Sequence, residues 1–333
     1  MSLPPPHDWN LPSAPGPVRL HPEFLNDESL RDGLQSPSTL HPPLERKKEF
    51  LRAAAAIGVG RANLGFPAAS ERHGEDVAAL ARFLAEERLP IRPSACGRTM
   101  IEDARGIAEA AQRAGVPLVA DIFTGSSAIR RDVEGWTLDE IRRRSEEVVS
   151  FLVREDLDVS YFTEDTTRAD PETVRTLYAA AIGAGARRIC VCDTVGHATP
   201  RGVRAVLAHV RRVVESTGAK VWIDWHGHRD RALGEINAVT ALEASADGVH
   251  ACALGIGERV GNPALDSLLV NLSMMGWVDR DLTGLARYVR IASEIFGVPL
   301  SPGYPVFGAR ASGVPASAAS RVSAVPAARF GVG

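Results

Sequence analysis

The chain has 333 residues, of which 45% are hydrophobic and 24% charged, the composition of an ordinary globular protein with a large core. Its formal net charge of −3 does not indicate nucleic acid or an anionic membrane as a partner. No apolar run is long enough to span a bilayer, and the proline-rich start does not resemble a secretory signal. We therefore expect a cytoplasmic protein without a nucleic-acid or membrane partner.

Strand and helix patterns alternate along most of the chain. Short apolar segments are followed by amphipathic segments such as "ERKKEFLRAAAAIG" and "DARGIAEAAQRAG", several of which end in glycine, a frequent residue at a helix C-terminus. Eight of the apolar segments are predicted strands. They cover residues 21–28, 58–66, 90–97, 117–125, 157–165, 187–196, 220–228 and 248–257.

Eight strands, each followed by a helix, predict an α/β fold of the (β/α)8 or TIM-barrel type over residues 18–290. An open, doubly wound sheet is the alternative, which the lack of a glycine-rich dinucleotide motif after the first strand disfavours. Residues 1–17 are predicted to form a disordered segment. Residues 291–308 are expected to begin a C-terminal subdomain, and residues 309–333 to form a disordered tail, so this extension looks truncated.

The four cysteines, Cys96, Cys190, Cys192 and Cys252, all fall in apolar, strand-like segments. The Cys-x-Cys spacing of the middle pair is not that of a zinc knuckle. We therefore predict four buried free thiols, as expected in a reducing compartment.

Polar residues follow seven of the eight predicted strands, at the ends where a TIM barrel carries its chemistry. A single charged strand end is typical of a solvated loop, whereas a ring of them indicates an active site. The ring consists of Arg31, Asp32, Gln35, Ser94, Arg98, Asp121, Thr124, Thr163, Glu164, Asp165, Asp193, Thr194, His226, His228, Asp230, Glu258, Arg259 and Asn262.

A pair of histidines ends the seventh predicted strand. Side chains alternate between the faces of a strand, so His226 and His228 point the same way and would together hold one metal ion. Two structural histidines are the alternative interpretation. Asp32 is the carboxylate expected to join them, and its alternative role is to cap or turn the chain before Gly33.

Two imidazoles and one carboxylate would leave open positions on a divalent ion, which a 2-oxo acid fills with its keto and carboxylate oxygens. Arg31 is placed to stabilise the alkoxide that forms, and Thr194 to bind the substrate carboxylate. Asn262 offers the metal a neutral oxygen, directly or through water. Asp230 is expected to orient one of the metal ligands without touching the metal itself.

Six segments follow one another in order along residues 25–290: "LNDESLRDGLQSP", "NLGFPAAS", "YFTEDTTRADPE", "VCDTVGHATP", "HGHRDRALGEINAVTALEASADGVHA" and "GIGERVGNPALD". Together they resemble the DRE-TIM metallolyase superfamily, in its 2-isopropylmalate, homocitrate and citramalate synthase branch. The resemblance is specific because all six agree in order and spacing.

This resemblance implies a dimeric acyltransferase that condenses acetyl-CoA with a 2-oxo acid and then hydrolyses the thioester. The expected oxo acid is 2-oxoisovalerate, which would make the chain a 2-isopropylmalate synthase of leucine biosynthesis. Citramalate synthase (pyruvate) and homocitrate synthase (2-oxoglutarate) are the alternatives. A charged oxo acid would need a basic partner, for which Arg98 and Arg168 are the nearby candidates.

The resemblance also implies a set of site residues and a divalent metal, Mg²⁺ or Mn²⁺, although two histidines would also suit Zn²⁺. The metal ligands would be Asp32, His226 and His228, with Asn262 the fourth. The resemblance also implies that Arg31 and Gln35 are catalytic and that Arg31 and Thr194 bind the substrate. From their positions at the strand ends, Glu258 is added to the expected catalytic residues, and Glu164 and Asp121 to the substrate-binding residues.

The lyase that cleaves 3-hydroxy-3-methylglutaryl-CoA is the nearest competitor, and its first-strand motif also reads RDGLQ. It carries a reactive cysteine in the loop after strand eight, where this chain has "GIGERVGN", while Cys252 is predicted within the strand. A synthase is therefore favoured over a lyase or aldolase. Arg229 stands where the synthases have asparagine. Asp121 stands where isopropylmalate synthases have histidine, which is expected to change the substrate pocket.

After "PLSPGYPVFGA" the synthases continue into a helical subdomain whose histidine is thought to help deprotonate acetyl-CoA. The tail here has no histidine, and Glu258 is the candidate replacement for a base typically worth about 10²–10⁴-fold in rate. A catalytically impaired barrel that still binds metal and oxo acid is therefore a further hypothesis. The leucine-sensing domain is also missing from the sequence, so no inhibition by leucine is expected.

Overall fold

The computed structural model describes residues 20–312 and Phe330. Its centre is a closed barrel of eight parallel strands in which each strand pairs with the next, and β8 closes on β1 with Asp27 opposite Ala251. The strands are β1 Leu25–Asp27, β2 Arg61–Asn63, β3 Arg92–Arg98, β4 Val119–Gly125, β5 Asp158–Glu164, β6 Arg188–Asp193, β7 Trp222–Gly227 and β8 Gly248–Ala251. The predicted TIM barrel is confirmed, and the open-sheet alternative is wrong.

Helices surround this barrel. Those in the described residues are α1 Leu44–Ala56, α2 Glu71–Glu86, α3 Ile101–Ala114, α4 Ala128–Glu134, α5 Leu138–Arg154, α6 Pro171–Gly183, α7 Pro200–Thr217, α8 Gly234–Glu243, α9 Leu265–Met274, α10 Leu285–Phe296 and α11 Ala309–Ser312. Each of these helices is too short or too polar to cross a membrane.

Local sequence signals set several helix ends. The side chains of Asp170 and Thr199 cap α6 and α7 by accepting backbone N–H groups, and each is followed by a proline in the first helical turn. Gly115, Gly218 and Gly297 end α3, α7 and α10 in the left-handed conformation, which glycine adopts without a steric penalty. The predicted glycine ends are confirmed at these helices.

The eighth strand is shorter than predicted. It ends at Ala251, and the chain then enters a 3₁₀ turn at Ala253–Gly255, where Leu254 has a φ of 58°. Cys252 therefore follows the strand rather than lying within it, because the apolar run continues into a buried turn. All four cysteines are buried and free, as predicted.

The interior of the barrel holds buried ion pairs. Asp224 on β7 is fully buried and accepts hydrogen bonds from Arg61 Nη1 at 2.6 Å and Arg188 Nη1 at 3.1 Å. Burial alone would raise the pKa of Asp224, but the two guanidinium groups overcome this and hold it well below its usual range. The side chain is therefore a buried carboxylate between two cations.

The C-terminal part of the described chain packs on the first helix. Phe50 of α1 contacts Tyr288 and Phe296 of α10, with ring centroids 5.1 and 5.3 Å apart. The C-terminal subdomain was predicted to begin at residue 291, a position that lies within α10. The division between barrel and subdomain stays a prediction. Residues 1–17 and 309–333, predicted to be disordered, lie outside the described residues, except for 309–312 and the buried Phe330.

Candidate metal centre and active site

A cavity of about 130 Å³ opens at the C-terminal ends of the strands. Nine of the ten predicted site residues line it, because barrel closure brings distant strand ends to one mouth. The lining consists of Arg31, Asp32, Gln35, Asn63, Cys96, Asp121, Phe123, Phe162, Glu164, Cys192, Thr194, His226, His228 and Glu258.

Three side chains meet at one edge of this cavity as a candidate metal centre. Oδ2 of Asp32, which follows β1, lies 3.2 Å from Nε2 of His226 and 3.7 Å from Nε2 of His228. All three residues are buried, and the donor atoms lie within 4.8 Å of one another. Ligand atoms that each lie about 2.1 Å from one ion are separated by about 3–3.5 Å, so this spacing fits a divalent cation.

The protonation states also suit a metal. Burial would raise the pKa of Asp32, but Arg31 and His226 overcome this and hold it well below its usual range. Burial lowers the pKa of His226, and burial with the neighbouring His226 lowers the pKa of His228 to about 4. At neutral pH the group therefore offers a carboxylate and two neutral imidazoles, the forms that ligate metals.

Asp32 does not cap a helix. It precedes the 3₁₀ turn Gly33–Gln35 but makes no capping hydrogen bond with its side chain. Its Oδ1 instead accepts from the backbone N–H of Glu258 at 3.3 Å, in the loop that follows the neighbouring strand β8. The alternative role as a capping residue is wrong.

Two further residues were predicted to complete or support the metal site, and the structure gives them different surroundings. Asn262 does not line the cavity, but its Oδ1 is buried and has no hydrogen-bond partner within residues 20–312, so it stays a candidate fourth ligand. Asp230 does not orient a ligand, because its carboxylate accepts from Nε and Nη2 of Arg259 at 2.8 and 3.0 Å. That prediction is wrong, since Arg259, in the loop after β8, pairs with the side chain of Asp230.

A second cluster, Glu28, His226 and His250, has a similar spacing of donor atoms. Burial would lower the pKa of His250, but hydrogen bonds and charge from Asp224 and Glu28 raise it above its ordinary value. Both ring nitrogens of His250 already face carboxylates, Nδ1 at 3.2 Å from Glu28 and Nε2 at 3.5 Å from Asp224, so the group containing Asp32 is the better candidate.

Arg31 is held in place from beneath by a residue that the sequence analysis did not single out. Oε2 of the fully buried Glu28 accepts from Arg31 Nε at 2.8 Å and lies 2.6 Å from Nη2. Oε1 of Glu28 accepts from Asn26 Nδ2 at 2.7 Å and lies 3.2 Å from His250 Nδ1. Strand alternation points Glu28 inward with Asn26, but its pairing with His250 depends on barrel closure.

The remaining predicted residues take different positions around the mouth. Thr194 Oγ1 accepts the backbone N–H of Asp165 at 2.8 Å, which leaves its own proton free to donate. Glu164 pairs with Arg130 at 3.3 Å, and burial raises its pKa. Glu258 lies at the rim of the cavity. Its side chain is 46% exposed, so solvent and a second substrate can reach it.

Five further residues line the cavity although they are not charged strand ends and were not predicted. They are Asn63, Cys96, Phe123, Phe162 and Cys192, one from each of β2 to β6, and the alternation of side chains along a strand is the signal that could have indicated them.

Asp121 lies among these unpredicted residues. Burial raises the pKa of Asp121 to about 6, against the lowering effect of Arg61, so the side chain is mainly a carboxylate at neutral pH.

Neither arginine proposed for a charged substrate is available. Arg98 donates to both oxygens of Asp103 at 2.7 and 3.0 Å, and Arg168 donates to both oxygens of Asp165 at 2.8 and 2.7 Å. Neither lines the cavity, because these local acidic partners hold them. Ser94, Thr124, Thr163, Asp193 and Arg259 of the predicted ring also lie outside the lining.

The fold and the site together define a (β/α)8 barrel with a candidate divalent-metal centre at its mouth. Its family follows from comparison with known proteins: the HMGL-like family model matches residues 24–291, and the chain belongs to this family. The family predicted from the sequence motifs is confirmed.

Relatives with different activities are about equally similar to the chain. It is 30% identical to 2-isopropylmalate synthase of Pyrococcus furiosus over 86% of this chain and 57% of that protein. It is also 30% identical to homocitrate synthase AksA of Methanopyrus kandleri, over 86% and 70%. The chain spans somewhat more than half the length of the first curated relatives that it matches.

The fold also matches a solved structure. HMG-CoA lyase of Bacillus subtilis superposes with a TM-score of 0.69 at 21% identity, covering 86% of this chain and 96% of that chain. At this identity the likeness shows the fold alone.

Proposed function

We propose that this chain is a metal-dependent acyltransferase that condenses acetyl-CoA with a 2-oxo acid. The observation that carries this proposal is one cavity in which Asp32, His226 and His228 place three metal-binding atoms within 4.8 Å of one another beside Arg31. The similarity to synthases of two activities supports the reaction class. Mg²⁺ or Mn²⁺ is the proposed ion, and Zn²⁺ is the alternative.

The residues of the cavity have distinct roles in this reaction. A bound divalent ion would act as a Lewis acid toward the keto group. Arg31 donates to the keto oxygen as charge develops there, and Thr194 donates its free proton to the substrate carboxylate. Gln35 lies beside the reacting groups, and Glu258 at the rim takes a proton from the methyl group of acetyl-CoA.

The bond changes follow from these roles. The methyl group of acetyl-CoA loses a proton to Glu258, and its carbon forms a bond to the keto carbon as the C=O double bond opens to an alkoxide. The alkoxide takes a proton from water and becomes a hydroxyl. Water then cleaves the thioester and releases CoA and a carboxylate. Glu164 lines the cavity close to these groups and is the proposed substrate-binding carboxyl on β5.

The charges of the cavity support an oxo acid with a single carboxylate. Arg31 is the one guanidinium among the described lining residues, and it is already paired with Glu28. A second substrate carboxylate would face Asp121 and Glu164 without a cation, which disfavours 2-oxoglutarate. The predicted 2-oxoisovalerate, as in a 2-isopropylmalate synthase of leucine biosynthesis, stays one candidate beside pyruvate.

A lyase or aldolase is the weaker candidate. Cys252 is fully buried and its pKa is raised well above its ordinary value by burial, so it is not a reactive thiolate. The homodimer and the cytoplasmic location stay predictions.

Release of CoA tests the proposal directly. Purified protein with Mg²⁺ or Mn²⁺ and acetyl-CoA is incubated with 2-oxoisovalerate, pyruvate, 2-oxoglutarate or oxaloacetate, and free thiol is followed. We expect release that depends on the oxo acid, stops with a chelator and returns with metal. Metal-dependent binding of an oxo acid without release would instead support the catalytically impaired barrel.

Glu28→Gln is expected to weaken oxo-acid binding by about 10- to 100-fold while metal affinity stays unchanged. The amide keeps the shape of the carboxyl but loses the charge that fixes the Arg31 guanidinium. Calorimetry with oxo acid at saturating metal measures the effect. Glu23→Gln, which removes a carboxylate paired with Arg188 at the other end of the barrel, is the control. Equal affinities in both variants would contradict a positioning role.

A further inference from the structure

The loop that follows β8 contains an unusual share of left-handed backbone. Within residues 254–261, the residues with a positive φ are Leu254, Gly255, Gly257, Arg259 and Gly261. Glycine adopts this conformation freely, but Leu254 and Arg259 carry side chains at φ values of 58° and 54°. A side chain in this conformation strains the backbone, so other contacts must hold the loop in place.

The side chain of Arg259 supplies such contacts. Its Nε and Nη2 donate to the two oxygens of Asp230 at 2.8 and 3.0 Å, and Nη2 also donates to the backbone carbonyl of Thr194. Its Nη1 lies 3.3 Å from Oε2 of Glu258. Because Thr194, Asp230 and Glu258 follow β6, β7 and β8, one guanidinium group joins the ends of three neighbouring strands.

The pairing of Arg259 with Asp230 fixes direction as well as distance. A guanidinium group that donates two hydrogen bonds to one carboxylate is held more rigidly than one that makes a single contact. The two side chains are 37% and 22% exposed, so solvent screens the pair only in part. The pair therefore fixes the loop after β8 relative to the chain after β7.

The same loop borders the candidate metal centre. The backbone N–H of Glu258 donates to Oδ1 of Asp32 at 3.3 Å, and Glu258 lines the cavity. Arg259 itself does not line the cavity. Arg259 would therefore act on the site through the residues that it holds.

We propose that Arg259 is a positioning residue, which holds the loop so that the Glu258 carboxylate faces the methyl group of acetyl-CoA. This inference rests on the proposed function for the role of Glu258 as the base. The Arg31 guanidinium and the Thr194 hydroxyl, which bind the oxo acid in that proposal, are held by other residues. Loss of the Arg259 side chain should therefore slow the reaction without weakening oxo-acid binding.

Arg259→Gly tests the inference, because glycine adopts the left-handed backbone without strain while the guanidinium group is lost. The kcat of CoA release and the dissociation constant of the oxo acid are measured at saturating Mg²⁺. We expect kcat to fall about 10- to 100-fold, since a misplacement of about 1 Å can cost a catalytic group this much. The dissociation constant should stay unchanged.

Asp230→Asn is the second variant, because it weakens the pair without changing the sequence of the loop. Its kcat should fall in the same direction. Amide hydrogen exchange of residues 254–261, followed by mass spectrometry, should become faster than in the unchanged protein. The double variant should be no slower in CoA release than Arg259→Gly alone, because both substitutions remove the same contact.

Arg88→Gly is the matched control. Arg88 has a φ of 53°, is exposed just after α2 and does not line the cavity, so the same substitution is made in the same backbone conformation. It should leave kcat and the exchange of the loop unchanged. An unchanged kcat in Arg259→Gly, or an equal fall in Arg88→Gly, overturns the inference. Oxo-acid binding that weakens as much as kcat falls also overturns it, since that would show a general loss of the site.

The proposed function can fail separately. If the unchanged protein releases no CoA with any oxo acid, the condensing activity is wrong, and hydrogen exchange decides whether Arg259 holds the loop. Faster exchange in Asp230→Asn but not in Arg88→Gly supports the hold on the loop, and equal exchange in both overturns it. CoA release whose kcat is unchanged in Arg259→Gly overturns the inference alone.

Discussion

His226→Ala and Asp32→Ala are each expected to lower the rate of oxo-acid-dependent CoA release by about 10³-fold or more. Each variant removes one of three donor atoms that lie within 4.8 Å of one another. A Lewis acid contributes several kcal/mol to transition-state stabilisation, and about 4 kcal/mol corresponds to roughly 10³-fold in rate. Metal content after dialysis, measured by elemental analysis, should fall together with the rate.

His41→Ala is the matched control, because His41 is exposed in the segment before α1 and does not line the cavity. Its metal content and rate should equal those of the unchanged protein. If His226→Ala retained both its metal and its activity, the centre built on Asp32 would be wrong, and the cluster containing His250 would have to be reconsidered.

Asp224→Ala is expected to lower the free energy of unfolding by about 3–5 kcal/mol. The variant leaves Arg61 and Arg188 buried beside each other without the carboxylate that both contact. This loss is a large part of the about 5–15 kcal/mol by which a domain is usually stable. Urea denaturation followed by circular dichroism measures it as a shift of the midpoint.

The pH dependence of stability should change in the same variant. The pKa of Asp224 is depressed in the folded chain, so its contribution is present above the unfolded pKa of about 4 and is lost as the pH falls toward the folded value. The unchanged protein should therefore lose more stability on acidification than Asp224→Ala. Asp139→Ala, which breaks an exposed pair with Arg142, is the control and should leave the midpoint nearly unchanged. Equal shifts in the two variants would contradict a structural role for the buried cluster.

Two aspartates that were predicted to belong to the metal site take different roles in the structure. Asp32 and Asp230 both lie at strand ends, where the sequence pattern also places the predicted histidine ligands. Asp32 meets the histidines, whereas Asp230 pairs with Arg259. Both aspartates follow strands, so nothing local distinguishes them. The difference arises because Arg259, in the loop after β8, folds over one of them.

The sequence by itself determined the barrel and the order of its strands. Alternating apolar and amphipathic segments are a local property, and the period of two in a strand is enough to put His226 and His228 on one face. The segment order was enough to indicate the family, which the family match confirms.

Only the tertiary structure decided which of these residues act on one another. Glu28 meets His250, and Asn63 meets Asp121, because barrel closure and the register of the strands place distant positions side by side. Burial then sets their charge: it raises the pKa of Asp121 to about 6, while neighbouring cations keep Asp224 ionised. Desolvation and pairing energies depend on groups from other strands, so the local sequence does not contain them.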